Sequence, residues 1–323
     1  MQLRPFFFDY PAALCHFPGM PFLSVIIPTR GRDECVRQTL RDLAAQELED
    51  GVDFDVWLVD QNDKPLAGLT ADIGSVVLHH EPMAPLGSHA GRNQAIFKTR
   101  ADVCIFVDDD VRIESDYLAA HARAYRADTG LACISGRVVQ PRDGLSAEQM
   151  KRMGAPARYN RFTGRVSGNF VGLRAARVEH VHECNFSART AALRAIGGFN
   201  EEFQGNAYFE GADLGLRLID AGYAIEYHPE IALTHLQDDA GGNRVADKAR
   251  HTYWFMRNYG LLNSLHMNRV GVAVFGSFGL AYVLAKAAKN ADLTIAKSGL
   301  KGLADGLKYF LPGRKRLRTR SEL

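Results

Sequence analysis

Apolar positions in the first hundred or so residues follow two alternating rhythms. "FLSVIIP" (22–28) is a nearly unbroken apolar run suited to a strand buried on both faces, whereas "ECVRQTLRDLAAQ" (34–46) repeats Val36, Leu40, Leu43 and Ala44 at helical spacing. "FDVWLVD" and "SVVLHH" read as strands, "HAGRNQAIFKTR" as a helix, and "VCIFV" (103–107) as another strand. Strand, helix, strand, strand, helix, strand within about 110 residues predicts an α/β layer on a mostly parallel, Rossmann-like sheet. Ligands of such sheets bind beyond the carboxyl ends of the strands. The polar residues obey that rule, because Thr29 and Arg30, Asp60, and Asp108 to Asp110 each follow a strand's last apolar residue.

Beyond residue 140 the rhythm is lost. "QPRDGLSAEQMKRMGAPARYNRFTGRVSGNF" has no sustained period and predicts a loop with short elements that covers a site. Order returns at "CNFSARTAALRAIGGFNEEF", where Ser187 is placed to cap a helix ending at Gly197 and Gly198. "FEGADLGLRLIDAGY" reads as an amphipathic helix stopped by Gly222, and "AIEYHPEIALTH" as a strand ending at His235. Near the C-terminus, "VGVAVFGSFGLAYVLA" (270–285) is apolar but shorter than the roughly 20 residues a bilayer span needs. "LTIAKSGLKGLADGLKYFL" is helix-like, and the chain closes on basic "PGRKRLRTR".

Composition adds limits. The 323 residues are 46% hydrophobic and 24% charged, ordinary for a globular protein able to bury a core. The five cysteines include no C-x-x-C pair, which points to reduced intracellular thiols. Three prolines, Asp9 and His16 interrupt the N-terminal FFF patch, so no cleavable targeting segment is expected. Net charge is +2, yet ten Lys/Arg against three acids from Lys286 onward make that segment +7 and the rest −5. A basic tail without a recognition motif does not indicate nucleic acid.

Three consecutive aspartates at the end of a buried strand need a compensating charge, because adjacent carboxylates repel and burial raises their cost. Asp108 and Asp110, one residue apart, can both reach one hard divalent cation whose remaining positions suit phosphate oxygens. The plainer alternative is a solvated turn or helix cap, to which a lone D-x-D is equally suited. The apolar strand before the aspartates, polar residues at other strand ends and a histidine at the end of a later strand favour the cation.

In order and spacing, "SVIIPTRGR" (24–32), "VDQND" (59–63), "GRNQAI" (91–96), "FVDDDV" (106–111), "CNFSARTAALRAIGGFNEEF" (184–203), "FEGADLGLRLIDAGY" (209–223) and "HPEIALTH" (228–235) resemble glycosyltransferase family 2. This is the family of inverting nucleotide-sugar transferases with a GT-A fold, and the likeness is to its rhamnosyltransferase-like bacterial members. The resemblance implies that Pro28, Thr29 and Arg30 border the base and ribose, that Asp60 hydrogen-bonds the nucleobase, and that Arg92 and Asn93 border the diphosphate. It places Asp108 and Asp109 with the nucleotide sugar, and Asp110 and His235 on Mn²⁺ or Mg²⁺. The implied donor is a UDP-, dTDP- or GDP-linked sugar, and the implied acceptor is a hydroxyl of a glycan or lipid-linked molecule in cell-surface polysaccharide synthesis. A GT-A catalytic domain at 23–240 would follow an extension at 1–22 and precede a helical region at 241–323.

One departure concerns the base. The family's E-D-x-D/E-L text carries the acid that deprotonates the acceptor in its second position, where this chain has Gly211. Glu210 and Asp213, one helical turn apart, remain as candidates, Asp213 being also suited to pair with Arg217 at i+4. Gly211 keeps open a non-catalytic sugar-nucleotide-binding protein of the same fold. A sugar-phosphate nucleotidyltransferase needs a Gly-rich, lysine-bearing loop where "PTRGRDE" stands. A haloacid-dehalogenase-type phosphatase needs its aspartates at the first strand. The apolar run and basic tail suggest a cytoplasmic protein peripheral to the inner face of the membrane, the alternative being a helix packed on the catalytic domain.

Overall fold

The computed structural model describes residues 21–141, 144–153, 157–237, 241–242 and 245–310, so Cys15 and the basic stretch from residue 311 lie outside the described residues. The chain runs β1 (Phe22–Thr29), α1 (Asp33–Ala44), β2 (Asp53–Asp60), α2 (Thr70–Ile73), β3 (Val77–Pro82), α3 (Ser88–Lys98), β4 (Val103–Val107) and β5 (Val111–Ile113). It continues α4 (Tyr117–Ala127), β6 (Cys133–Val139), α5 (Ala147–Arg152), β7 (Ala157–Tyr159), β8 (Val166–Gly168), β9 (Ala176–Val178) and β10 (Asn185–Arg189). Last come α6 (Thr190–Ala195), α7 (Glu210–Asp220), β11 (Ile225–His235), α8 (Lys248–His266), α9 (Arg269–Asn290) and α10 (Leu293–Leu307).

Nine strands form one sheet in the order β3-β2-β1-β4-β10-β6-β11-β5, with β9 also on β11, while β7 and β8 make a separate hairpin. Strands β1, β2, β3, β4, β6 and β11 share one direction, and β5, β9 and β10 oppose them. The apolar runs are continuous because both faces of the sheet are covered. Val25 and Ile27 of β1 meet Leu40 of α1 and Leu118 of α4 on one face. Ile26 and Phe106 meet Ile96 of α3, Leu193 of α6 and Leu214 of α7 on the other.

Two antiparallel strands determine what stands at the sheet's carboxyl edge. Strand β10 pairs Asn185 with Val107, so the residues just before it arrive where β4 ends. Strand β5 pairs Val111 with His235, which sets the end of β11 beside the aspartate run. A third core cluster joins Ala212 and Leu216 of α7 to Met256 and Leu261 of α8, Phe275 and Val283 of α9, and Leu303 of α10. Helices α8 and α10 approach so closely that a Cβ on Gly302 would lie 2.2 Å from the Tyr253 carbonyl oxygen and one on Gly306 2.2 Å from that of Arg257.

Two local expectations change. Ser187 caps no helix. It lies inside β10, where its hydroxyl meets Tyr125 Oη at 3.0 Å and His121 Nδ1 at 3.0 Å, because the segment pairs with β4 and β6 and α6 begins only at Thr190. The apolar run at 270–285 belongs to a longer helix of 22 residues, since the alanines and lysines up to Asn290 are good helix formers. By length and composition α9 is able to cross a membrane.

Candidate active site

A cavity of about 710 Å³ opens at the carboxyl edge of the sheet, lined among others by Pro28, Thr29, Arg30, Arg32, Asp108, Asp109 and His235. At one end the side chains of Asp108, Asp110 and His235 each offer a ligand atom, all within 4.8 Å of one another. Asp110 is fully buried, and its Oδ1 lies 3.2 Å from His235 Nε2 and 3.2 Å from Arg32 Nη1. Arg32 also donates to Asp109 Oδ1 at 2.8 Å, and Thr29 Oγ1 donates to Asp109 Oδ2 at 2.8 Å. Burial pushes the Asp109 carboxyl up to about 6 in spite of Arg32. Burial also pulls the His235 imidazole down, but its contact with Asp110 and the charge of Asp108 outweigh this and raise it. Two carboxylates and an imidazole form a donor set suited to a hard or borderline divalent cation.

The other end is built around Arg92, from α3, which is fully buried beneath Phe199. Its guanidinium pairs with Glu210, reaches Asp108 Oδ1 at 3.0 Å and donates to the Glu183 carbonyl at 3.1 Å. Glu210, the first residue of α7, also accepts from Ser88 Oγ at 3.2 Å and lies 3.4 Å from His89 Nδ1. Burial opposes ionisation of Glu210, but Arg92 and His89 prevail and hold its carboxyl below the usual range. Glu183 is half-buried on the cavity wall, and burial beside Glu210 pushes its carboxyl up to about 7. The segment leading into α7 is strained: Ala207 and Phe209, neither a glycine, have φ of 54° and 73°. Asn206 lines the cavity just before them, and its Nδ2 is buried without a hydrogen-bond partner among the described residues.

Of the residues singled out from the sequence, Pro28, Thr29, Arg30, Arg92, Asp108, Asp109, Glu210 and His235 line the cavity, with Asp110 immediately behind. Three others are committed elsewhere. Asp60 is buried, and its oxygens take the Leu66 and Asn62 backbone N–H groups at 2.7 and 2.9 Å, the Asn62 amide at 2.8 Å and His80 Nε2 at 2.9 Å. Its carboxyl closes the loop after β2, and Gln61 is the residue of that loop that reaches the cavity. Asn93 holds the Phe199 backbone, accepting at 2.7 Å and donating at 2.9 Å, and also donates to Glu201 at 2.9 Å. Asp213 is fully buried between Arg217 at 2.8 Å and His266 at 2.9 Å, joining α7 to the end of α8.

Arg32, Ser88, Asn206, Tyr208 and Glu183 are cavity residues that the sequence reading passed over. Arg32 stood in plain view in "PTRGRDE", where its charge opposite the three aspartates was the available signal. The others carry no local signal, since each reaches the cavity through a long-range contact.

Residues 24–184 match the family model described as Glycosyl transferase family 2. The chain is 25% identical over 265 residues to the uncharacterized protein y4gI of Sinorhizobium fredii, covering 77% of this chain and 28% of that protein. It is 27% identical over 227 residues to the pre-mycofactocin glycosyltransferase of Mycobacterium tuberculosis, covering 68% of this chain and 43% of that protein. The chain thus spans less than half the length of either relative. Among solved structures, S. aureus TarS 1-349 in complex with UDP-GlcNAc superposes with a TM-score of 0.59 at 16% identity, covering 90% of this chain and 81% of that one. The Pyrobaculum calidifontis mannosyltransferase PcManGT in complex with GDP-Man and Mn²⁺ gives 0.52 at 15% identity, covering 92% and 89%. At such identities the likeness is one of fold. With the GT-A fold and a family match covering residues 24–184, the chain belongs to glycosyl transferase family 2.

Proposed function

We propose that this chain is a metal-dependent inverting glycosyltransferase that moves a hexose or deoxyhexose from a nucleoside diphosphate to a hydroxyl of a glycan or lipid-linked acceptor in cell-surface polysaccharide synthesis. The observation that carries the reading is the convergence of Asp108, Asp110 and His235 at a cavity whose wall also holds Arg92 and Glu210, Arg92 reaching Asp108 at 3.0 Å. Residues 23–240 act as the catalytic unit, with 241–323 as its helical extension.

In this reading Asp110 and His235, with Asp108, hold Mn²⁺ or Mg²⁺, which when bound neutralises charge on the leaving diphosphate. His235 Nδ1 has no hydrogen-bond partner among the described residues, and Nε2 already faces Asp110, which agrees with a ligand role. Pro28, Thr29, Arg30 and Gln61 border the nucleoside, and Asp60 acts by fixing the loop that carries Gln61. The amino-terminal turn of α3, with Gly87 and Ser88 on the cavity wall, presents backbone N–H groups to the diphosphate. Arg92 orients Glu210 and Asp108 about the sugar, and Asn93 steadies this arrangement from behind.

The acceptor side is apolar. A second cavity of about 530 Å³ is lined by Phe255, Met256, Tyr259, Phe275, Phe278 and Tyr282, among others. Tyr208 on the first cavity stacks edge-on against Phe255 at 5.4 Å, so the two cavities share an aromatic wall. On α9, Val270, Val274, Phe278 and Tyr282 recur every four residues and are exposed, which supports attachment to the cytoplasmic face of a membrane carrying a lipid-linked acceptor.

Calorimetric titration with UDP, GDP and dTDP, each with and without Mn²⁺, tests the reading. Metal-dependent binding of one nucleotide, lost in Asp110→Ala, is expected. Absence of binding to all three overturns it. Gly211 favours a second reading, a sugar-nucleotide-binding protein without turnover, which predicts the same binding but no release of nucleoside diphosphate from any donor.

A further inference from the structure

Gly211 lacks the carboxylate that the family writes in its position, and another carboxylate fills the space. A Cβ built on Gly211 has as its three nearest atoms Oε1, Cδ and Cγ of Glu183, at 2.7, 2.8 and 3.0 Å. No left-handed backbone angle demands glycine there; the constraint is the Glu183 side chain. The Gly211 N–H donates to Glu183 Oε1 at 3.0 Å, fixing the carboxylate against the first turn of α7. Glu183 immediately precedes Cys184 and β10, and the antiparallel insertion of that strand beside β4 carries it to the cavity.

We infer that Glu183 is the catalytic base of the transfer, its carboxylate entering from the start of β10 the space that a side chain at residue 211 would otherwise occupy. The other two carboxylates are poorly disposed for this work. Glu210 is locked to Arg92 and held ionised, which makes it a weak proton acceptor, and Asp213 is paired behind α7. Glu183 borders the cavity and is only half-buried, and its raised pKa suits a base working near neutrality. In the transfer the acceptor O–H gives its proton to Glu183, and the acceptor oxygen bonds to the anomeric carbon. The bond from that carbon to the β-phosphate oxygen breaks, and the nucleoside diphosphate leaves with the electron pair. The carboxylic acid then returns its proton to solvent. Ion pairing with Arg92 makes Glu210 a fixed anion that keeps Glu183 basic.

The inference rests on the transfer reading, and a relocation experiment separates the two. Release of nucleoside diphosphate is measured from UDP-, GDP- and dTDP-linked hexoses with Mn²⁺, water serving as acceptor, with nucleotide binding and thermal stability followed in parallel. Glu183→Gln, close in shape, is expected to lower turnover by about 10²–10⁴-fold while nucleotide binding is kept. Gly211→Asp alone is expected to lose turnover, because two side chains claim one space. Combining Glu183→Gly with Gly211→Asp returns a carboxylate from the helix side and is expected to exceed Glu183→Gly by at least about tenfold. Full turnover by Glu183→Gln overturns the assignment and leaves the transfer reading standing. Nucleotide binding without turnover in the wild-type protein, with any donor, overturns the transfer reading and the assignment with it.

Discussion

The cavity carries two groups of carboxylates, each with an arginine, and they are built differently. At the cation end Arg32 sits on the turn between β1 and α1 and is held from outside by another turn, the Gly242 N–H donating to the Arg30 carbonyl at 2.9 Å. Its partners Asp109 and Asp110 also follow a strand end, and Asp108 is half-exposed. At the other end Arg92 projects from the middle of α3 to Glu210 at the start of α7, both buried, with Phe199 over the guanidinium. A site mounted on regular elements keeps its geometry, whereas one mounted on turns can adjust as a ligand enters. The contrast separates a charge pair built between two helices from one mounted on turns.

The comparison breaks most visibly at Arg92. Arg92→Ala leaves Glu210 buried without its counter-ion, a change that costs about 3–5 kcal/mol. A fall in melting temperature of roughly 4–7 °C, together with loss of activity, is expected by scanning calorimetry. A melting temperature equal to wild type would show that the pair carries no structural load. Asp110→Asn at the other end should have the opposite profile. Turnover falls by about 10²–10³-fold as the charge set for the diphosphate is lost. The fold loses less than about 2 kcal/mol, because the amide still meets Arg32 or His235 in a polar setting. If Asp110→Asn destabilises as strongly as Arg92→Ala, the two ends are alike and the distinction fails.

The pH dependence sharpens the same contrast. Glu183 must be ionised to accept a proton, and the groups facing it are Glu210 on α7, Arg92 on α3 and the Gly211 N–H. Burial and Glu210 raise its carboxyl to about 7, against the opposing pull of Gly211 and Arg92. The ionised fraction therefore falls as pH drops through about 7, and kcat/KM should fall with it, about tenfold per unit well below that point. Glu210, held low by Arg92, contributes no limb in this range. A profile flat from pH 5 to 8 in the wild-type protein would remove Glu183 from the proton path.

How much of this was legible in the sequence depends on the range of the contacts. The strands and helices of the first half follow from local periodicity, and "FVDDDV" declared its charge problem openly. His235 was reachable because it ends a strand-like run. Glu183 was not, since "VEHVHECNF" gives no sign that the next strand inserts antiparallel beside β4. Asn93 shows how a helix divides adjacent residues. It lies beside Arg92 in "GRNQAI", but neighbours on a helix point about 100° apart, so one faces the cavity and the other the Phe199 backbone. Asn93→Ala strands that buried N–H and carbonyl, and a stability loss of about 1–3 kcal/mol is expected. Donor KM should stay within about twofold, since the substitution removes no cavity contact. A selective rise in KM would return Asn93 to the binding surface.

The smallest effect belongs to α9, where the same argument from exposure applies outside the cavity. Val270 and Phe278 are 73% and 62% exposed, and Val274 and Tyr282 lie on the same stripe. A soluble helix normally turns such residues inward, while one that rests on a bilayer gains by burying them in the acyl boundary. Each apolar side chain that inserts contributes about 1–2 kcal/mol. Phe278→Ser should therefore weaken sedimentation with anionic liposomes by about tenfold, with melting temperature and nucleotide binding unchanged. Phe278 also lines the 530 Å³ cavity, so Val270→Ser, on the same stripe but outside that lining, distinguishes the sources of the effect. If both substitutions release the protein from vesicles, the exposed face of α9 rests on the membrane. If only Phe278→Ser does so, the apolar cavity holds the lipid, and the helix face serves another surface.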